Sequence, residues 1–181
     1  KGTTFAHLTI AGSGIKTLDS DINLPGVLTV KAGTELALGT YSLGAATPPS
    51  SIELECGASS GSVISGTGTL YLAMSTVTVK NLTAGNNGAA ISCPIAVSPG
   101  AMFSVDDDGT AAADLTISGV ISGSGGPNKM NPGTLLLMGE NTYTGVTNVS
   151  SGTLRLGSAG SGSYSPLGTT SGGTYILDGG V

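Results

Sequence analysis

The segment Leu115–Gly157 reads LTISGVISGSGGPNKMNPGTLLLMGENTYTGVTNVSSGTLRLG. Short runs of Val, Ile and Leu alternate in it with Gly, Asn and Ser, which are the residues that form turns. Comparable strands recur about every twenty residues, a spacing typical of one unit that is copied and stacked as a solenoid. We therefore predict parallel strands on successive coils that contain Leu115, Leu135, Leu154 and Ile176.

Alternation of apolar and polar residues with a period of two runs through the whole chain, which predicts an all-β fold without a long helix. Two architectures fit this pattern, an antiparallel β-sandwich and a right-handed parallel β-helix. The tripeptide Gly-Thr-Leu recurs at Gly68, Gly133 and Gly152, and these recurrences indicate equivalent corners that successive coils revisit. The β-helix is therefore the favoured fold, with residues 1–181 forming a single solenoid domain.

The inward side chains of such a coil stack on those of the coils above and below. We predict this core role for Leu136, Leu154, Leu156 and Ile176. The segment Asn141–Gly145 predicts a corner, because Asn and Gly accept the backbone conformations of tight turns. Tyr143 in this corner is expected to cover apolar surface, and stacking on a ligand is the less favoured alternative.

Composition excludes several classes of protein. Only 9% of the 181 residues are charged and 31 are Gly. Low charge together with a positive mean hydropathy argues against intrinsic disorder. The six Lys and Arg residues are scattered and the net charge is −5, so no basic patch suits nucleic acid. No apolar run approaches the ~20 residues of a membrane-spanning helix, so no transmembrane segment is predicted.

Residues 115–157 resemble the passenger-associated repeat of bacterial autotransporters. The resemblance is carried by SGVISGSGG at 118–126, by GENTYTG at 139–145, and by the Gly-Thr-Leu strands that begin at Gly133 and Gly152. It implies a right-handed parallel β-helix exported to the outside of a bacterium or held on its outer surface. In most proteins that contain this repeat it serves as a scaffold. The resemblance therefore does not indicate any particular activity.

Three consecutive carboxylates, Asp106, Asp107 and Asp108, precede Gly109. Ca²⁺ takes oxygen ligands from turns, so this run is a candidate metal site. The competing interpretation is a solvated turn, because consecutive side chains of an extended chain point to opposite sides.

Glu53 and Glu55 lie two residues apart and therefore on one strand face, a geometry that paired-carboxylate glycosidases could use. Two exposed glutamates on a strand are far commoner, and the chain has no Trp and one Arg to line a polysaccharide groove. His7 is the sole histidine and no nucleophile motif accompanies it. We therefore predict no catalytic residue and no cofactor.

Cys56 and Cys93 both occur in apolar, strand-like surroundings. An exported protein can join two such residues in a disulfide. The alternative is a pair of buried thiols on separate coils, since cysteines two coils apart are too distant to bond.

These observations predict a non-enzymatic, extracellular structural or adhesive β-solenoid. Solenoid ends expose strand edges and a cross-section of the core, which must be covered by more chain of a longer protein or by another molecule. If the 181 residues are the complete mature protein, we expect end-to-end self-association and, in consequence, filaments. Ligands on host or matrix surfaces are the other expected partners. Two alternatives stay open: a polysaccharide-active β-helix enzyme, and a passive stalk of a larger autotransporter.

Overall fold

The computed structural model describes residues 2–81, 87–110, 112–157, 164–177 and 179–181. Within these ranges all regular secondary structure is β, in 22 strands, and no helix occurs. The all-β prediction is confirmed.

The strands are short, with three or four residues in most of them. The first eleven are β1 (Thr3–Thr4), β2 (Leu8–Ile10), β3 (Gly14–Thr17), β4 (Ile22–Asn23), β5 (Val27–Val30), β6 (Thr34–Ala37), β7 (Ser51–Cys56), β8 (Val63–Ser65), β9 (Leu70–Leu72), β10 (Thr76–Asn81) and β11 (Ala89–Ile91). The others are β12 (Ile95–Val97), β13 (Met102–Val105), β14 (Leu115–Ile117), β15 (Ile121–Gly123), β16 (Asn128–Met130), β17 (Thr134–Leu137), β18 (Thr147–Val149), β19 (Thr153–Leu156), β20 (Tyr164–Ser165), β21 (Gly168–Thr169) and β22 (Thr174–Ile176).

The chain winds through three parallel sheets in turn. Sheet 1 has the order β2-β5-β7-β10-β13-β16-β18-β22, and sheet 2 has the order β3-β6-β8-β11-β14-β17-β19. Sheet 3 contains β9, β12 and β15, and single bridges through Leu43 extend it to β4 and β1. Each coil runs from sheet 1 to sheet 2 to sheet 3 and returns one strand further along. This topology confirms the parallel β-helix and excludes the antiparallel sandwich.

The register of sheet 2 confirms three of the four predicted strand positions. Leu115 pairs with Leu135, and Leu135 pairs with Leu154, all in parallel. Ile176 also lies in a parallel strand on the following coil, but this strand belongs to sheet 1, where Ile176 pairs with Val149 and is not aligned with Leu154. The antiparallel hairpin β20–β21 lies between these two residues, lengthens that coil and carries Ile176 onto the other sheet.

The recurrent Gly-Thr-Leu tripeptides mark only one pair of equivalent corners. Gly133 and Gly152 each precede a sheet 2 strand, and the threonines that follow them, Thr134 and Thr153, are paired. Gly68 instead lies before β9 of sheet 3, so its predicted equivalence is wrong. A tripeptide identifies a turn, whereas the corner at which that turn occurs depends on the length of the coil.

Inward side chains form one apolar core along the axis of the solenoid. On sheet 1, Leu28, Ile52, Val77 and Phe103 follow one another in register and are all fully buried. Full burial of such a side chain contributes about 1.5–3 kcal/mol. Because each coil places its branched residues on those of its neighbours, the stack stabilises itself along its whole length.

Of the four residues predicted to point into the core, one faces outward and three follow the inward rows. Leu136 faces outward, since its neighbours Leu135 and Leu137 are the buried residues of β17. Leu154, Leu156 and Ile176 follow the inward rows, but they lie at the C-terminal end of the stack, where Leu156 is 47% and Ile176 is 61% exposed.

Candidate functional site

Among the residues that the structure describes, the densest group of carboxylates lies at the turn between β13 and β14, which we call the acidic corner (residues 106–114). Asp107, Asp108 and Asp114 place carboxylate oxygens within 4.8 Å of one another. Asp106 does not belong to this group, and its carboxylate accepts a hydrogen bond from Asn131 Nδ2 at 2.8 Å. The structure thus brings together two of the three predicted ligand candidates and adds Asp114, which the sequence analysis did not single out.

The Asp114 carboxylate accepts hydrogen bonds from donors on several coils. Its Oδ1 accepts hydrogen bonds from the Asp108 N–H at 3.0 Å and from Asn81 Nδ2 at 3.1 Å. Its Oδ2 accepts one from the Thr134 N–H at 2.7 Å. Burial raises the pKa of Asp114, and the hydrogen bonds from Thr134 and Asp108 partly oppose this rise. Asp114 therefore joins three successive coils at this corner.

Asp108 is also engaged within its own turn. Its Oδ1 accepts hydrogen bonds from the Thr110 N–H at 2.8 Å and from the Thr110 hydroxyl at 2.7 Å. Carboxylate oxygens at this spacing are the ligands that a hard divalent cation prefers. The same oxygens accept the hydrogen bonds that hold the turn in place, so these carboxylates have a structural role without a metal ion. Calcium binding at this corner stays a prediction.

A buried lysine, which the sequence analysis missed, lies next to the acidic corner. Lys129 occupies the inward row of sheet 1 between Phe103 and Val149 and is fully buried. Its Nζ donates to the carbonyl oxygens of Met130 at 2.8 Å and Asn131 at 2.6 Å.

The same ammonium also donates to the Ser151 carbonyl at 3.1 Å and thereby links two coils. Burial lowers the pKa of Lys129 to about 8, and the charges of Asp114 and Asp106 act in the opposite direction. The only sequence signal for this residue was the alternation in β16, which gives Lys129 the inward position.

Glu53 and Glu55 form ion pairs and do not converge on a groove. Lys80 Nζ lies 2.8 Å from a Glu53 oxygen, and Lys31 Nζ lies 2.5 Å from a Glu55 oxygen. Each lysine comes from a neighbouring coil of sheet 1. The pair therefore links adjacent coils on the outer surface, and its geometry favours the structural interpretation over the glycosidase one.

His7 has a structural contact as well. Its Nδ1 accepts a hydrogen bond from the Val27 N–H at 3.1 Å, which joins the first coil to the second. A general base must reach a nucleophile or a substrate proton. This nitrogen instead accepts a backbone hydrogen bond, so the geometry gives His7 a structural role.

Cys56 and Cys93 are both buried, and no disulfide joins them in this structure. Burial raises the pKa of Cys56 to about 11 and that of Cys93 to about 12. The thiolate is the reactive form of cysteine, so both thiols are chemically inert near neutral pH.

Tyr143 is fully buried and packs in the apolar core, in keeping with its expected role of covering apolar surface at this corner. Its hydroxyl lies 2.6 Å from Thr147 Oγ1. Burial raises the pKa of Tyr143 to about 12. A buried ring cannot stack on an external ligand, so that alternative is wrong.

No helix in the described part of the chain is long and apolar enough to cross a membrane. A model of the passenger-associated-transport-repeat family matches residues 128–156, within the segment 115–157 that carries the resemblance. The chain is also 45% identical over 71 residues to the adhesin BmaC autotransporter of Brucella suis biovar 1 (strain 1330).

The match to this adhesin covers 38% of the present chain and 2% of the relative. No solved structure matches the chain significantly. The matched repeat comprises β16 to β19, so it forms part of the continuous stack in sheets 1 and 2. The predicted resemblance is confirmed: residues 128–156 match the passenger-associated-transport repeat, and the chain is similar to part of an autotransporter adhesin.

Proposed function

We propose that this chain is a non-enzymatic passenger segment of an autotransporter adhesin, located at the surface of a bacterium or outside it. The observation that carries the proposal is the continuous parallel stack in which the passenger repeat supplies β16 to β19. A stack of this kind is rigid and presents long flat faces of outward side chains. The relative's name adds the adhesive role, since it is an autotransporter adhesin.

The competing enzymatic function has less support. Glu53 and Glu55 are each engaged by a lysine from a neighbouring coil. The buried Asp108 and Asp114 accept hydrogen bonds that hold their own corner. A passive stalk is the second candidate, because the same rigid stack would serve to hold another domain away from the cell.

Adhesion is tested by coating beads with the purified chain and counting the beads retained on host-cell monolayers and on immobilised matrix glycoproteins. Beads coated with the urea-unfolded chain are the control. Retention that requires the folded chain supports the adhesin. Retention equal to that of the control on every surface overturns it and favours the stalk.

We also propose end-to-end self-association. The C-terminal end of the stack exposes a shallow apolar cavity of about 110 Å³, whose lining includes Leu156, Ile176 and Val181. These side chains are 47%, 61% and 73% exposed, whereas inward residues of the middle coils are fully buried. A second copy would cover them by adding its first coil, with β2 and β3 beside β22 and β19.

Self-association is tested by light scattering over a range of concentrations. We expect scattering mass to rise with concentration and Ile176→Asp to abolish the rise, because a buried unpaired carboxylate is costly. A concentration-independent monomer for the unsubstituted chain contradicts this second proposal and leaves the adhesion proposal untouched.

A further inference from the structure

The middle coils of the solenoid carry no charged residue on the side formed by sheet 3. Four successive crossings of this side, residues 38–50, 66–75, 92–101 and 118–128, contain no Asp, Glu, Lys or Arg, whereas the crossing before them contains Asp19 and Asp21 and the crossing after them contains Glu140. We call these segments the neutral side. The ion pairs described above lie on sheet 1, and the acidic corner lies between sheets 1 and 2. Charge is thus segregated around the axis.

A groove of about 310 Å³ runs along the neutral side. Its floor is low because outward positions of successive sheet 3 strands carry small side chains: Tyr71 is followed in register by Ala96 and then by Ser122. Tyr71 and Pro48 stand at one end, and Ser98 lines the groove. Small-molecule sites typically enclose about 300–1,000 Å³, so the groove has room for a small ligand.

The wall of this groove is held in place before any ligand arrives. The buried Ser75 hydroxyl donates to the Pro49 carbonyl at 2.5 Å. On the other side of the turn, the Ala46 N–H donates to Asn23 Oδ1 at 3.2 Å. Binding to a fixed wall avoids the entropic cost of ordering a loop.

A second cavity of about 260 Å³ continues the groove toward the C-terminal end, and Ser124 lines both. Two of its side chains are amides, Asn128 and Asn148. Asn148 Nδ2 donates to Asn128 Oδ1 at 2.6 Å, and Asn128 Nδ2 donates to the Ala101 carbonyl at 2.9 Å. The residues that line the two cavities come from successive coils, which are ~4.8 Å apart. The two cavities therefore form one furrow parallel to the axis of the solenoid, and its shape suits an extended chain molecule.

We propose that this furrow binds neutral oligosaccharides, a ligand class that would give the proposed adhesin its target and that rests on that function. The rings of Tyr71 and Pro48 offer apolar surface to the face of a sugar ring. The hydroxyls of Ser98 and Ser124 and the neighbouring amides offer hydrogen bonds to sugar hydroxyls. An acidic glycan would find no cation among the lining residues, so the absence of charge selects for neutral ones.

The test uses isothermal titration calorimetry of the full chain with maltohexaose, cellohexaose and chitohexaose, and with a heparin-derived hexasaccharide as the acidic comparison. Tyr71→Ala removes the ring, and Ala96→Arg fills the floor. Tyr164→Ala is the matched control, because Tyr164 is 47% exposed in β20 and lines neither cavity of the furrow. Circular dichroism establishes that each variant is folded.

We expect at least one neutral hexasaccharide to bind, the acidic one to bind at least tenfold more weakly, and both furrow variants to weaken neutral binding at least tenfold. The control should bind as the unsubstituted chain does. The proposal is overturned if no neutral probe binds at millimolar concentration, or if Tyr71→Ala leaves binding unchanged.

Failure of this proposal is distinguishable from failure of the adhesin. If Ala96→Arg abolishes bead retention while no sugar binds, the furrow contacts a protein, and the oligosaccharide proposal is wrong although adhesion stands. If the neutral sugar binds but beads are never retained, the binding site stands and the adhesive function is wrong.

Discussion

The buried lysine of the core makes the sharpest prediction about stability. Burial lowers the pKa of Lys129 from 10.5 to about 8 in the folded chain. Between these values the unfolded chain still holds a proton that the folded chain has released. Stability therefore rises with pH in this window, because the unfolded state binds more protons there. Lys129→Met removes the titrating group and with it this rise.

The magnitude follows from the shift in pKa. One pKa unit is worth about 1.4 kcal/mol, so the whole effect is about 3 kcal/mol, with about 1 kcal/mol of it gained between pH 7 and pH 9. The pKa values of Cys56 and Cys93 are raised to about 11 and 12. From about pH 8 upward the unfolded thiols, whose ordinary pKa is about 8.5, ionise before the buried ones, which lowers stability and masks part of the lysine effect.

The difference between the two proteins isolates Lys129, because both contain the same thiols. Urea unfolding followed by circular dichroism at pH 7, 8 and 9 gives the free energy of unfolding of each. We expect the unsubstituted chain to gain about 1 kcal/mol relative to Lys129→Met over this range. The variant also loses hydrogen bonds to three carbonyls, but that loss is the same at every pH. A constant difference between the proteins would refute the reasoning.

Three further predictions concern the core, the thiols and the surface carboxylates. Leu135→Ala should cost about 2–5 kcal/mol in urea unfolding, whereas Leu136→Ala should cost much less because Leu136 faces outward; equal losses would contradict the register. Cys56 and Cys93 should resist a thiol reagent at pH 8 until urea unfolds the chain, so rapid labelling of the native protein would show that they are accessible. Glu53→Gln should lower the free energy of unfolding by less than about 1 kcal/mol. Neither the unsubstituted chain nor this variant should release reducing ends from polysaccharides. Release by the unsubstituted chain that is lost in Glu53→Gln would restore the enzymatic hypothesis.

The sequence alone was enough to predict that the secondary structure is β and to predict part of the strand register. Alternation and period identified parallel coils and aligned Leu115 with Leu135 correctly. The run Thr134–Leu137 contains three successive leucines, so no polar residue marks which of them face outward. Leu136 was misassigned for that reason. Ile176 falls on sheet 1 and not beside Leu154 because the hairpin β20–β21 changes the coil length, which periodicity alone does not show.

The acidic corner could be predicted only in part, for a related reason. Asp107 and Asp108 are adjacent in sequence, so the run of carboxylates could be recognised from the sequence alone. Asp114 lies six residues after Asp108 in the same turn, whereas Lys129 and Asn81 reach the corner from neighbouring coils through the register of the stack. A local motif search cannot find such partners until the coil lengths are known.

Parallel stacking in register is the claim on which the core, the acidic corner and the neutral side all depend. Thr9 and Ser104 lie in one outward row of sheet 1, four strand steps apart. At ~4.8 Å a step, their backbones are ~19 Å apart. Spin labels on Thr9→Cys and Ser104→Cys, measured by double electron–electron resonance, should give one narrow distribution at roughly 15–30 Å once label linkers are included. A broad distribution, or a mean distance well beyond this range, would contradict the stacked fold.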